Sequence, residues 1–150
     1  MRYIIDGYNL IGKIRSIDYT DPEKETKLQA FIDSKGSNSK DRFVLVFDGH
    51  NINRPYGSKE TQGAFQIVFT PPDQSADSYI IDKCETMKSK SGVVIVTSDN
   101  EILRAAKRYR VTQMTSETFT KHLFEGPGAQ ENEDIQVSDS EVNYWLNSFK

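Results

Sequence analysis

Asp6, Asp48 and Asp99 each stand at the end of a short apolar run: Tyr3-Ile4-Ile5, Phe43-Val44-Leu45-Val46-Phe47, and Val93-Val94-Ile95-Val96 followed by Thr97-Ser98. Asp77 falls just after Ser75, where a helical pattern begins. In a parallel sheet the carboxyl ends of all strands share one edge, which is where open α/β proteins place their ligands. The spacing therefore predicts that four acids converge. Carboxylates at 4 Å and an effective dielectric of 20 repel by about 4 kcal/mol per pair, so such a group either holds protons or binds a cation. An oxygen-only set suits a hard ion, Mg²⁺ or Mn²⁺, completed by water and phosphate oxygens. The chemistry that follows is cation-assisted hydrolysis of a phosphodiester by water, which needs no nucleophilic Ser, Cys or His. Taken singly, each Asp also fits a helix cap or a turn, and Asp99 fits the capping box Ser98-Asp99-Asn100-Glu101. Four acids on one edge are less readily explained that way.

The elements that position these acids follow from the apolar pattern. Those three runs, with Phe65 to Phe69 and Val111 to Met114, are continuous rather than alternating and rich in β-branched and aromatic residues, which predicts five strands buried on both faces. Helices are expected after Asp21-Pro22, carrying Leu28, Phe31 and Ile32, and from Ser75, carrying Ala76, Ile80, Cys84 and Met87. Two more are expected, from Asp99 with Ile102, Leu103, Ala105 and Ala106, and over about 117–124. Strands alternating with helices indicate a doubly wound α/β domain over 1–124. The segment 50–63 reads as a long mobile loop. Residues 125–137 read as an acidic linker, and 138–150 as an amphipathic helix with Val142, Trp145, Leu146 and Phe149 on one face, expected to dock on the domain.

Composition narrows the class. At 150 residues with 36% hydrophobic content the chain suits one domain. One cysteine, Cys84, and two distant histidines, His50 and His122, exclude a disulfide framework and a zinc site. No apolar run approaches the ~18–20 residues that span a bilayer, and no secretory leader pattern opens the chain, so a cytoplasmic protein without a membrane partner is expected. The net charge of −3 taken alone argues against a nucleic-acid partner, yet residues 125–150 hold six acids and one base, leaving 18 bases against 16 acids in 1–124. Arg54 and Lys59 in the 50–63 segment, and Arg104 and Arg108 on the helix after Asp99, are candidates to position phosphates, and Tyr8 or Tyr56 to stack on a base. Asn9, just past the first strand, could orient a phosphate or water or serve a local turn or cap. Ser98 could touch the ion or substrate or cap a helix, and His50 is near enough to Asp48 to reach the site.

The stretches Asp6-Gly7-Tyr8-Asn9-Leu10-Ile11-Gly12, Val46-Phe47-Asp48-Gly49, Phe69-Thr70 leading to Ala76-Asp77-Ser78-Tyr79-Ile80, and Val96-Thr97-Ser98-Asp99-Asn100-Glu101 together resemble the YacP-like NYN domains of the PIN-like nuclease superfamily. The resemblance implies a three-layer PIN-like (Rossmannoid) domain with a central, mostly parallel five-stranded sheet. It also implies a Mg²⁺- or Mn²⁺-dependent endoribonuclease in which Asp6, Asp48, Asp77 and Asp99 hold the metal and Asn9 belongs to the opening motif. RNA, single-stranded or mRNA- or rRNA-like, is the implied partner, with ribosome association as a further expectation. An acid often found one turn after the Asp77 position is replaced by Ile81, and Asp82 is expected to face away. A non-cleaving RNA-binding or scaffolding module of the same fold is the main alternative. A phosphoacceptor signalling domain fits less well, because Asp6 is followed by Gly7 rather than a second acid.

Overall fold

The computed structural model describes residues 1–35, 40–49 and 57–123. The apolar runs form β1 (Arg2–Asp6), β2 (Arg42–Phe47), β4 (Phe65–Phe69), β5 (Val93–Val96) and β6 (Thr112–Met114), and a further strand, β3 (Ser58–Gln62), precedes β4. Among the described residues the sheet therefore has six strands, in the order β3-β4-β2-β1-β5-β6, and all pairs are parallel except β3 with β4. The five-stranded expectation missed β3, whose residues Ser-Lys-Glu-Thr-Gln bury almost nothing. Part of the expected loop 50–63 is thus an edge strand, held by backbone pairing to β4. Gly63 closes this hairpin at φ 58, and with Gln62 paired to Phe65 the two-residue loop has the type II′ pattern, which favours Gly at its first position.

Alternate residues of each strand point to opposite faces, and each face has its own core. Tyr3, Ile5, Phe43, Leu45, Phe47, Val94 and Val96 face α1 (Gly7–Ile11), α2 (Lys24–Ser34) and a helical segment over 116–123, meeting Leu10, Leu28, Ile32 and Phe119. Ile4, Val44, Val46 and Ile95 face α3 (Ala76–Thr86) and α4 (Asn100–Arg108), meeting Ile80, Cys84, Ile102 and Ala106. Strands covered on both sides need continuous apolarity, the property by which the sequence marks them. Burying each large aliphatic side chain contributes about 1.5–3 kcal/mol. Cys84 packs here as a small apolar group, and burial pushes its thiol up to about 11, so it takes no part in thiolate chemistry.

Helix starts depart from the expectations in two places. Asp21 accepts the Glu23 N–H at 2.8 Å in a turn, and α2 begins only at Lys24, after Pro22. α4 is capped by Asp99, which accepts the Glu101 and Ile102 N–H groups at 2.9 and 3.2 Å, while Ser98 lies outside the helix. The helix α1 is too short to show a period. The helices over 76–86 and 116–123 lie where the sequence puts them, the first capped by Ser75 on the Ser78 N–H at 3.0 Å. The expected linker and C-terminal helix, 125–150, lie outside the described residues.

The chain moves outward from β1 to β2 and β4 and then crosses back to β5, so the strand order reverses at β1 and β5. Ligand crevices form outside the carboxyl ends at such a point. At that edge Gly49 follows β2 so closely beside Thr70 that an added Cβ would lie 1.9 Å from the Thr70 carbonyl oxygen. Gly49→Ala is expected to lower stability by about 1–3 kcal/mol, because the clash is with backbone that no rotamer change relieves. Urea unfolding of the variant against wild type measures it.

Candidate active site

All four expected acids reach the carboxyl edge. Asp6 closes β1, Asp48 follows β2, Asp99 follows β5 through Thr97-Ser98, and Asp77 sits in the first turn of α3. Asp6 feels the charges of Asp77 and Asp99, and Asp77 those of Asp99, Glu101 and Asp48. Asp77, Asp99 and Glu101 each offer a carboxylate oxygen within 4.8 Å of the others. Asp6, Asp48 and Asp77 line one pocket of about 700 Å³ with Tyr8, Tyr19, Pro22, Lys24, Glu25, Phe69 and Ala76. Glu101 is the acid that sequence reasoning missed, because the pattern Ser98-x-x-Glu101 absorbed it into a capping box. Its spacing of two from Asp99 was the available signal. Asp82, as expected, stands apart from this group, with the Gln74 amide 3.4 Å from its carboxylate.

Threonines that follow the strands hold the acids in place. The buried Thr97 hydroxyl donates to Asp6 Oδ2 and accepts the Asp99 N–H, both at 3.0 Å, so one side chain sets the spacing of two acids. Thr70 acts alike after β4: its hydroxyl accepts the Gly49 N–H at 3.1 Å, next to Asp48, and donates to the Gln74 carbonyl at 2.7 Å. Asn9 Oδ1 accepts the Ser98 N–H at 2.9 Å and the Ser116 hydroxyl at 2.7 Å, tying α1 to the β5–α4 turn and to the start of the 116–123 segment. Its carbonyl is thereby a brace between elements rather than a local cap. The Ser98 hydroxyl donates to Glu117 and accepts the Ser116 N–H at 3.1 Å, so it faces the 116–123 segment and not the acids.

Burial, and then the nearby charges of Asp77 and Asp99, push Asp6 up to about 6 against the opposing pull of the Thr97 hydroxyl. Asp77 is raised too, by burial first and then by Asp99, Glu101 and Asp48. Helix N-termini offset part of this strain, since α3 and α4 both begin at the acids and each such end favours a negative charge by about 0.3–1 kcal/mol. What remains is a crowded all-oxygen donor set without nitrogen or sulfur. Its chemistry fits a hard divalent cation, which would offset both the burial of charge and the repulsion that raise Asp6 and Asp77.

The basic candidates scatter. Lys59 lies on β3 beside α3, its Nζ 5.7 Å from the Tyr79 ring centroid, at the same edge as the acids. Arg104 is exposed about 7 Å along α4 from Asp99, whereas Arg108 lies about 13 Å along it, beside the Tyr109 ring and away from the acids. Arg54, Tyr56 and His50 fall outside the described residues. Nearer the acids stand residues that the sequence did not single out. Tyr19 is 6.0 Å from Tyr8 in an edge-to-face pair, and the Lys24 ammonium lies 5.3 Å and 5.7 Å from the Tyr8 and Tyr19 ring centroids. Tyr8 donates its hydroxyl to Glu25 at 2.7 Å, and burial and then Glu25 push its own ionisation upward.

A carboxyl whose folded-state value is raised contributes stability below its unfolded value of 3.8 and loses that contribution as pH rises through about 6. In EDTA the protein is therefore expected to gain stability as pH falls from 7.5 toward 5. The Asp6 share of that gain is on the order of 1 kcal/mol by pH 5, and it approaches about 3 kcal/mol only below pH 3.8. Asp6→Asn should remove that share and raise the melting temperature at pH 7.5, as thermal melts across the pH series would measure.

Comparison with known proteins bears on the family and the fold. The family model for the YacP-like NYN domain matches residues 3–147. A crystal structure of Rae1 (YacP) from Bacillus subtilis superposes with a TM-score of 0.67 at 18% identity, covering 98% of this chain and 85% of that one. Its W164L mutant gives 0.66, also at 18% identity, over 99% and 92%. At that identity the likeness speaks for the fold, a six-stranded, mostly parallel PIN-like sheet. No curated protein sequence matches the chain. No helix among the described residues is long and apolar enough to cross a membrane. With the family model matched along nearly its whole length, the chain belongs to the YacP-like NYN domain family, a family of nucleases.

Proposed function

We propose that this protein is an endoribonuclease that hydrolyses RNA phosphodiester bonds with a Mg²⁺ or Mn²⁺ ion held by the acids of the carboxyl edge. The observation that carries the reading is the meeting of Asp77, Asp99 and Glu101, with oxygens inside 4.8 Å of one another. Asp77, Asp99 and Glu101 would hold the ion, with Asp6 and Asp48 lining the same pocket as Asp77. A bound divalent cation supplies Lewis-acid stabilisation of charge on phosphoryl oxygens and makes water a better nucleophile near neutral pH.

The chain's own residues do the rest. Thr97 fixes the separation of Asp6 and Asp99, and Asp99 spends Oδ1 on the cap of α4, which leaves Oδ2 for the acid group. Asn9 locks the turn that carries Asp99 through the Ser98 N–H and acts as a positioning residue. Lys59 at the same edge supplies positive charge for a passing backbone phosphate.

Single-stranded and structured RNA incubated with the full chain should be cut internally in Mg²⁺ or Mn²⁺ and left intact in EDTA. Asp6→Asn and Asp99→Asn should each slow cleavage by at least about 100-fold. Gel analysis of end-labelled RNA separates internal cuts from end trimming. Cleavage that persists in both variants would overturn the assignment of the acids, and RNA binding without cleavage by wild type would favour a non-cleaving module.

A further inference from the structure

The pocket at the acids is larger than an ion and a phosphate require. At about 700 Å³ it falls in the range that encloses whole small organic ligands. Its acidic side is Asp6, Asp48 and Asp77, and its other lining includes Tyr19, Pro22, Lys24 and Glu25 from the segment that enters α2. Lys24 is the lone cation among the described residues that line it. Its side chain is only 20% exposed and stays close to Glu25, at 3.5 Å, and to the rings of Tyr8 and Tyr19. A cation held in this way loses little further side-chain freedom when it meets an anion.

Tyr19 is 55% exposed, and Met1 is the other exposed large hydrophobic residue among those described. Its backbone is held nonetheless. Asp18 Oδ1 accepts both the N–H and the hydroxyl of Thr20, at 2.9 and 2.7 Å, and Asp21 binds the Glu23 N–H just after. Buried Ile14 and Ile17 anchor the preceding turns to the core. An exposed aromatic ring on a braced turn, beside a half-buried lysine and at the mouth of an acidic pocket, has the parts of a nucleotide-binding subsite. Aromatic rings take bases of any identity by stacking, and lysine takes backbone phosphate.

We propose that residues 19–25 form a subsite for one nucleotide flanking the scissile phosphate, with its base stacked on Tyr19 and its phosphate on Lys24. This rests on the nuclease reading only in placing the subsite beside a phosphate that is cut, since the subsite binds a nucleotide whether or not the acids cut. Glu25 is a positioning residue here, holding the Tyr8 hydroxyl and the Lys24 ammonium.

The test titrates the full chain in Mg²⁺ with 5′-AMP and with ribose 5-phosphate, which lacks the base, by calorimetry, and separately measures kcat and KM on a single-stranded RNA. Wild type is expected to bind 5′-AMP more tightly than ribose 5-phosphate. Tyr19→Ala should weaken 5′-AMP about tenfold, within the range of base stacking, and leave ribose 5-phosphate unchanged. Tyr19→Phe should behave as wild type, and Lys24→Ala should weaken both ligands. In cleavage, Tyr19→Ala should raise KM with kcat largely kept. Equal binding of the two ligands by wild type, or a 5′-AMP affinity and KM unmoved by Tyr19→Ala, would overturn the subsite. Base-dependent binding lost in Tyr19→Ala, in a protein that cuts no RNA, would support the subsite and overturn the nuclease reading.

Discussion

Like charges gathered at one edge of a sheet are the condition to which the rest of the molecule answers. Asp6, Asp77, Asp99 and Glu101 repel one another, and burial first, then this repulsion, leaves Asp6 and Asp77 easier to protonate than free carboxyls. The backbone must resist the same repulsion, or the acids would drift apart. Thr97 and Thr70 supply that resistance through hydroxyls that donate to one element and accept from another. Asn9 adds a third tie, joining α1 to the turns before α4 and before the 116–123 segment.

The site therefore stands at a cost in stability that a cation would refund. The apolar strands beneath make this tolerable: two cores, one on each face of the sheet, fasten the strand ends from which the acids project. Rigid strands also set the chemistry's precision. Acids on strand ends and first helical turns move less than acids on loops, so the donor set is largely formed before any ion arrives.

What the sequence revealed and what it hid divide along physical lines. Strands buried on both faces announce themselves by continuous apolarity, and Asp6, Asp48 and Asp99 were visible because each breaks such a run. β3 was hidden because its polar residues are held by backbone pairing, which leaves no hydrophobic pattern. Glu101 was hidden because one pattern, Ser-x-x-Glu, serves two purposes, and only the observed cap at Asp99 frees it for the acid group. Asn9 and Ser98 were recognised as positions of interest, but whether an amide or hydroxyl turns toward ligand or toward a neighbouring element depends on residues more than 80 positions away or near 116, which local spacing does not encode. Tyr19 and Lys24 gave no signal at all, since they meet the acids only through the route of the chain between β1 and α2.

The polar character of β3 has a consequence for how the molecule meets its own copies. A sheet edge is a row of backbone donors and acceptors open to any passing strand, and long apolar edges lead to aggregation. Here one outer strand displays Lys59, Glu60, Thr61 and Gln62, exposed on both faces, and the other, β6, is three residues long. A second chain pairing along β3 would have to desolvate a lysine and a glutamate to gain a few backbone bonds. The residues that hid this strand from sequence reading are thus the ones that shield the apolar strands behind it from fibre-like growth.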